Sequence, residues 1–292
     1  MRKGIPGKIK LVAEILFTIL LAAPLFPSVA RPAPGPDIGI IEPVDLNKTM
    51  QTWTVLDARL KPEWQAGHIA GARSFSWEDY LKTDETGTPF RQRPAPEVAE
   101  ALSRMGVDEN RPVVVYGDAD KSWGGEGWAC WVLAWMGHKG PIRLLAGGIQ
   151  AWKAQGFPVS SDPPKVGPTA ARYRVSLRPE LDIQALEIEE KGGALVLIDT
   201  RSTMEWLTGR IPGAIHIPWT EFYTGKDRRP ITPAALQKLL KDNGVKLDKP
   251  IVYYCAAGVR SGYAWAVHTA GGLPAARNYK AGWEDWKRRT SK

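Results

Sequence analysis

The sequence predicts an α/β protein built from two tandem copies of one domain, each a mostly parallel sheet flanked by helices. Three observations carry this. The chain repeats itself at a fixed offset. Short apolar runs alternate with helical stretches inside each copy. And 292 residues are too many for one ordinary domain but comfortable for two.

The repeat is the strongest of the three. Val55-Leu56-Asp57-Ala58-Arg59 matches Leu197-Ile198-Asp199-Thr200-Arg201, and Glu63-Trp64 matches Glu205-Trp206. Gly67-His68-Ile69-Ala70-Gly71-Ala72 matches Gly209-Arg210-Ile211-Pro212-Gly213-Ala214, and Trp77 matches Trp219. All these pairs lie 142 residues apart. Chance does not hold one offset across so many positions, so a domain has been duplicated. Further on, Pro112–Tyr116 parallels Pro250–Tyr254 at an offset of 138, and Gly148 and Trp152 parallel Gly282 and Trp286 at 134. The first copy therefore carries short insertions, one of them in Lys121–Gly127.

The elements follow in order. Leu195–Asp199 reads as a buried strand. Pro233–Asn243 reads as a helix with Thr232 as N-cap and Gly244 as its stop. Ile251–Tyr254 is a second buried strand, and Ser261–Ala270 a second helix. Strands alternating with helices imply a parallel sheet covered on both faces. Trp128, Trp131 and Trp135 recur at helical spacing and read as core. The first domain is placed at 38–160 and the second at 173–292, with a Pro- and Ser-rich linker at 161–172 and an extended leader at 31–37.

Residues 1–30 do not read as core. Arg2, Lys3, Lys8 and Lys10 precede an apolar run from Leu11 to Phe26, and Ser28-Val29-Ala30 supplies small residues for a cleavage site. These are the parts of a secretory signal, which predicts export, to a periplasm in a bacterium. The alternative is an uncleaved anchor through residues 11–26, the sole membrane contact the sequence offers. That run is short for a span and contains Glu14 and Pro24. The formal charge is +8, of which residues 1–30 supply +3. The remainder mildly favours small anionic partners. There is no basic stripe interleaved with aromatics, so no nucleic acid is expected.

The candidate chemistry lies in Cys255-Ala256-Ala257-Gly258-Val259-Arg260, between a predicted strand and a predicted helix. The carboxyl end of a parallel strand is where such folds build sites. A turn there presents successive backbone N–H groups and the positive end of the helix dipole. Small residues let the backbone curl closely around whatever Cys255 holds. A helix N-terminus and a nearby cation favour thiolate over thiol, and the thiolate is the nucleophile. The other cysteine, Cys130, lies in an apolar helical segment and reads as a core residue.

These residues are where the chain resembles a known family. Asp199-x-Arg201, Glu205-Trp206, Gly209-x-Ile211-Pro212-Gly213-Ala214 and the Cys255-x4-Arg260 loop resemble the tandem-domain rhodaneses, the thiosulfate and mercaptopyruvate sulfurtransferases, of an exported bacterial type. The resemblance runs from about residue 40 to the C-terminus. It implies two rhodanese-like domains, an inactive first domain, and a persulfide on Cys255. It implies anion-binding roles for Ala256, Ala257, Gly258, Val259 and Arg260, and supporting roles for Asp199, Arg201 and Glu205. Related phosphatases place five residues between Cys and Arg; four fits one sulfur atom. The first copy departs from the pattern: Gly117 stands where Cys255 does, and Ser122 falls opposite Arg260. The Trp123 insertion either walls the active site or is an ordinary surface loop. The second copy departs too, because Glu205 stands where the family commonly has a substrate-gripping arginine.

The expected activity is transfer of a sulfane sulfur from a small anionic, thiosulfate-like donor to a thiol or cyanide through the Cys255 persulfide. The alternative is a periplasmic carrier that holds sulfur or selenium for a redox or carrier protein partner and turns over little alone. No cofactor and no metal is expected: His68, His138, His216 and His268 lack ligand spacing, and His216 reads as structural. Trp206 and Trp219 are further candidates for lining the substrate approach.

Overall fold

A computed structural model of the chain describes residue 1 and residues 35–164 and 172–290. The proposed signal or anchor, most of the leader, and residues 165–171 of the linker lie outside the described residues.

Each copy of the repeat forms a parallel sheet. In the first, the strands run in the order Ile38–Ile41, Ile142–Leu145, Val113–Tyr116, Thr54–Asp57 and Arg73–Ser74. In the second, the order is Ile215–His216, Val196–Asp199, Ile251–Tyr254 and Ala276–Tyr279. Every neighbouring pair in both sheets is parallel. The fifth strand of the second sheet is reduced to a single bridge, Asp182 to Asn278. The central strands are buried along their whole length, as a sheet covered on both faces requires. The α/β tandem architecture expected from the repeat is the one observed.

The predicted helix limits move by a residue or two. Thr232 does cap a helix, which runs Pro233–Asp242, and its Oγ accepts from the Ala235 N–H at 3.3 Å. The helix after Cys255 spans Val259–Ala270, so Arg260 lies in its first turn. The segment from Tyr173, expected at the start of the second domain, hydrogen-bonds to the first. Its contacts include Ser176 N–H to Met136 O and Arg178 N–H to Trp135 O.

The two copies share one core. The helices Gly125–Trp135 and Val259–Ala270 are buried on nearly every face and pack against each other. A helix that is apolar all round needs neighbours on all sides, and here each supplies the other's. Two glycines permit the approach. A Cβ on Gly127 would lie 2.3 Å from the Tyr263 Cα, and one on Gly262 would lie 2.9 Å from the Trp128 Cα. The reciprocity makes Gly127 the mate of Gly262, and Trp128 the mate of Tyr263, across a pseudo-twofold axis.

One expectation is corrected. No helix among the described residues is long and apolar enough to cross a membrane, so membrane contact through a spanning N-terminal segment is not carried forward. The residues it rested on, 11–26, lie outside the described residues.

Candidate active site

Cys255 follows the Ile251–Tyr254 strand directly, at the carboxyl edge of the second sheet. Three residues later the chain turns through Gly258, at φ +85°, into the helix. A side chain is disfavoured at Gly258 by this left-handed backbone, and also by space: a Cβ would lie 2.8 Å from the Lys280 backbone. Gly282 packs as closely from the other side, where a Cβ would meet the carbonyls of Ala256 and Cys255 at 2.3 and 2.6 Å. The loop is pinned from outside by Trp283 N–H to Cys255 O at 2.8 Å and by Asn278 Nδ2 to Gly258 O at 3.0 Å. Its own N–H groups, from Ala256 to Arg260, have no acceptor among the described residues.

Cys255 is 1% exposed, at the floor of a cleft of about 530 Å³. Ser261 Oγ lies 3.5 Å from its Sγ and donates to Asn278 Oδ1 at 2.7 Å. Both cysteines are unpaired. Cys130 is buried, and burial together with the Glu126 charge pushes its thiol far above the ordinary range.

Arg260 does not face the cleft as a free cation. It makes a two-pronged bond to Glu205, Nη1 to Oε2 at 2.6 Å and Nη2 to Oε1 at 2.8 Å. Glu205 is held by a capping box in which the Ser202 hydroxyl and N–H also bind its carboxylate. Burial disfavours the Glu205 charge, but the Arg260 hydrogen bonds and charge outweigh it and bring the pKa down to about 2. Glu205 thus occupies the one arginine of the loop.

Asp199 and Arg201 are brought close but not into the cleft. They form a buried ion pair at 2.6 Å, and Arg201 also donates to Gly209 O. Arg201 lies 4.7 Å from the Trp283 ring centroid. The first domain repeats this with Asp57, Arg59 and Gly67. A feature present equally beside a loop without a nucleophile belongs to the fold. His216 is structural as expected, stacked on Trp206 at 4.9 Å. Trp206 and Trp219 do not line the cleft: Trp206 is spent on His216 and Arg210, and Trp219 packs on Tyr223 and Tyr263.

The cleft's other wall comes from the first domain, through Trp77, Glu78, Leu81, Phe90 and Trp123. Trp77 is the repeat mate of Trp219, and each tryptophan reaches across the pseudo-twofold axis. The Trp77 indole donates to Ser122 O at 3.1 Å, and the Arg260 guanidinium lies 5.8 Å from the Trp123 ring centroid. The insertion therefore walls the site. Phe90 ends a hairpin whose strands are Leu81–Lys82 and Arg91–Gln92. Ion pairing of Arg91 with Asp285 at 3.2 Å and a bond from Arg288 to Thr86 tie that hairpin to the second domain.

The corresponding place in the first domain is filled. A Cβ on Gly117 would lie 2.1 Å from Glu126 Oε2. The Glu126 carboxyl, 5% exposed, accepts from Ser122 Oγ at 2.9 Å and takes the space a nucleophile would need. Ser122 is therefore not the counterpart of Arg260. The inserted residues form a short helix, Ala119–Ser122, and the reciprocal glycine contacts set Glu126 opposite Ser261. The cavity there is about 10 Å³, room for roughly one water. No group of His, Cys, Asp and Glu able to hold a metal occurs among the described residues.

Comparison with known proteins agrees with this construction. The family model of the Rhodanese-like domain matches twice, over residues 42–155 and 183–289. The chain belongs to the rhodanese family. Among its relatives, it is 32% identical to the sulfur carrier protein TtuD of Thermus thermophilus, over 76% of this chain and 83% of that one. It is 30% identical to the putative thiosulfate sulfurtransferase SseA of Mycobacterium tuberculosis, over 76% and 78%. The solved structure of the 3-mercaptopyruvate sulfotransferase SseA of Escherichia coli has the same fold. Its TM-score is 0.74 at 22% identity, over 84% of this chain and 99% of that one. The wild-type structure of EanB gives 0.75 at 23%, over 85% and 67%. By homology this rhodanese is an enzyme of the sulfurtransferase type.

Proposed function

We propose that Cys255 accepts a sulfane sulfur as a persulfide and passes it to a thiophilic acceptor. The supporting observation is the buried Cys255 thiol at the floor of the cleft, heading a loop whose five N–H groups, Ala256 to Arg260, have no protein acceptor among the described residues. In the first step the Cys255 thiolate attacks the outer sulfur of a donor. A new S–S bond forms, the donor's own bond to that sulfur breaks, and the leaving group departs with the electron pair. The loop N–H groups stabilise the terminal sulfur anion as an oxyanion hole stabilises oxygen. In the second step the acceptor attacks the terminal sulfur, and Cys255 leaves as the thiolate. Ala256, Ala257, Gly258 and Val259 shape the loop. Arg260, locked by Glu205, sets its position.

The test is direct. Purified protein is incubated with thiosulfate and analysed by mass spectrometry, then given cyanide and assayed for thiocyanate. A mass gain of one sulfur atom on Cys255, and its loss to cyanide, are expected. Cys255→Ser should abolish both; Cys130→Ser should leave both. A chain that gains no sulfur from thiosulfate, polysulfide or mercaptopyruvate would falsify the persulfide.

A carrier role is the second reading, favoured by the identity to a named sulfur carrier protein. It predicts a stable persulfide, or its selenium counterpart, that discharges slowly to small acceptors and quickly to a protein partner.

A further inference from the structure

The walls of the cleft carry more information than its floor. Of its described lining residues, Trp77, Leu81, Phe90, Trp123, Ala256, Ala257 and Val259 are apolar, and the charged ones are Glu78, Glu205 and Arg260. The only cation among them is bound at both ends of its guanidinium by Glu205. A small dianion entering here loses its water and finds N–H groups at one end only. An apolar ring, by contrast, gains area. Phe90 and Trp123, 47% and 53% exposed, both stand on this wall, and exposed apolar groups that gather along a groove carry information that scattered ones do not.

The pseudo-twofold axis sharpens the point. The described chain has three non-glycine residues with left-handed φ, namely Phe90, Trp123 and Arg228. Phe90 and Arg228 are mates, at the same place in equivalent hairpins. Arg228 lines the small cavity beside Glu126, above the loop that lacks a nucleophile. The backbone at this position therefore accepts arginine. Over the cysteine the chain carries phenylalanine instead. Trp123 is held in its own strained conformation by the insertion, with its ring against Arg260.

We infer that the thiol exchanging sulfur with Cys255 is an organic one with a flat, apolar, uncharged body, recognised by Trp77, Phe90 and Trp123 of the first domain. The identification rests on the persulfide reading and adds its substrate class. Transfer then balances as the thiolate attacks the terminal sulfur: a small-molecule persulfide is made and the Cys255 thiolate is released. The reverse direction loads the enzyme. The first domain, without chemistry of its own, supplies the selectivity.

Binding and transfer are measured separately. For binding, the full chain carrying Cys255→Ser is dialysed against 4-methylthioanisole and against 4-(methylthio)benzenesulfonate. The neutral ring should bind about tenfold tighter or more, as stacking on aromatic walls predicts. For transfer, protein loaded from polysulfide is given 4-methylbenzenethiol or 4-sulfonatobenzenethiol, and decay of the sulfur adduct is timed. The neutral thiol should be faster by a similar ratio. Phe90→Arg, a change the mate position shows the backbone tolerates, should reverse the preference in both assays. Equal or tighter binding of the sulfonate to the Cys255→Ser protein overturns the inference. So does a preference unmoved by Phe90→Arg in a folded protein. A protein that keeps the binding preference but never acquires sulfur supports the cleft assignment and overturns the persulfide.

Discussion

Glu126 is a carboxyl group buried in the first domain at the place that corresponds to the Cys255 side chain in the second, and its titration should be visible in the stability of the whole protein. Burial is the main cause that raises its pKa, to about 7; the Asp118 and Asp57 charges add to it, and the Ser122 hydrogen bond opposes it. In the unfolded chain the group titrates near the ordinary 4.5. The folded value is the higher one, so the sign is fixed. Below pH 4.5 the carboxyl is neutral in both states and the folded protein keeps its full stability. Between 4.5 and 7 the unfolded chain ionises first and gains. Above 7 the loss is complete. At about 1.4 kcal/mol for each tenfold change in proton affinity, the loss is roughly 3 kcal/mol. Glu126→Gln keeps the shape and an acceptor for Ser122 but cannot ionise. Urea unfolding of both proteins from pH 4.5 to 8, followed by tryptophan fluorescence and circular dichroism, isolates the effect as a difference. The wild type should fall relative to the variant by that amount, with the midpoint near pH 6. Parallel curves would show that the carboxyl is hydrated or ionised in place, and the account of the filled first site would be wrong.

Three further outcomes are expected. Glu205→Gln releases one face of the Arg260 guanidinium. It should lower KM for thiosulfate, by about three- to tenfold if the freed charge reaches the anion, in steady-state thiocyanate assays. An unchanged or raised KM refutes the idea that Glu205 silences Arg260. Gly127→Ala drives a methyl to within 2.3 Å of the Tyr263 backbone, and should destabilise the protein by about 1–3 kcal/mol in urea titrations; a neutral result means the two helices separate freely. Finally, we propose export with cleavage after Ala30. Mass spectrometry of full-length protein recovered from a bacterial host should find Arg31 at the N-terminus, and an intact N-terminus in the exported fraction would refute the cleavage.

Part of the fold was legible because the duplication wrote two central strands of each sheet twice. Thr54–Asp57 and Val196–Asp199 were each too short to be secure alone, yet the shared Asp-x-Arg signature behind them fixed both. The lost fifth strand was not legible. Asp182 bridges Asn278 by a single backbone pairing, and one pairing leaves no apolar run to read. Helix starts were misjudged near Cys255 because Val259 and Arg260 belong by type to the loop, while their backbone is already helical. Gly258, turning left-handed just before them, was the signal for the earlier start.

The site divides along the same line. Cys255 and its loop are contiguous in sequence, so spacing exposed them. The wall is not contiguous. Trp77, Phe90 and Trp123 lie more than a hundred residues upstream and meet the cysteine only because two like domains pack about a pseudo-twofold axis. That axis has a consequence the sequence pattern conceals. Each domain's hairpin and tryptophan serve the opposite domain's loop, so residues aligned in the repeat face different chemistry. Trp219 was a candidate for lining the substrate approach, and it packs toward Gly124 of the other half. Glu126 escaped for a related reason. An insertion shifts the register between Tyr116 and the helix, and linear alignment set Ser122 opposite Arg260. Only the reciprocal contacts of Gly127 and Gly262 restore the pairing. One half carries Cys255; the other fills the corresponding place with Glu126 and presents Trp77, Phe90 and Trp123 to the cleft that Cys255 floors.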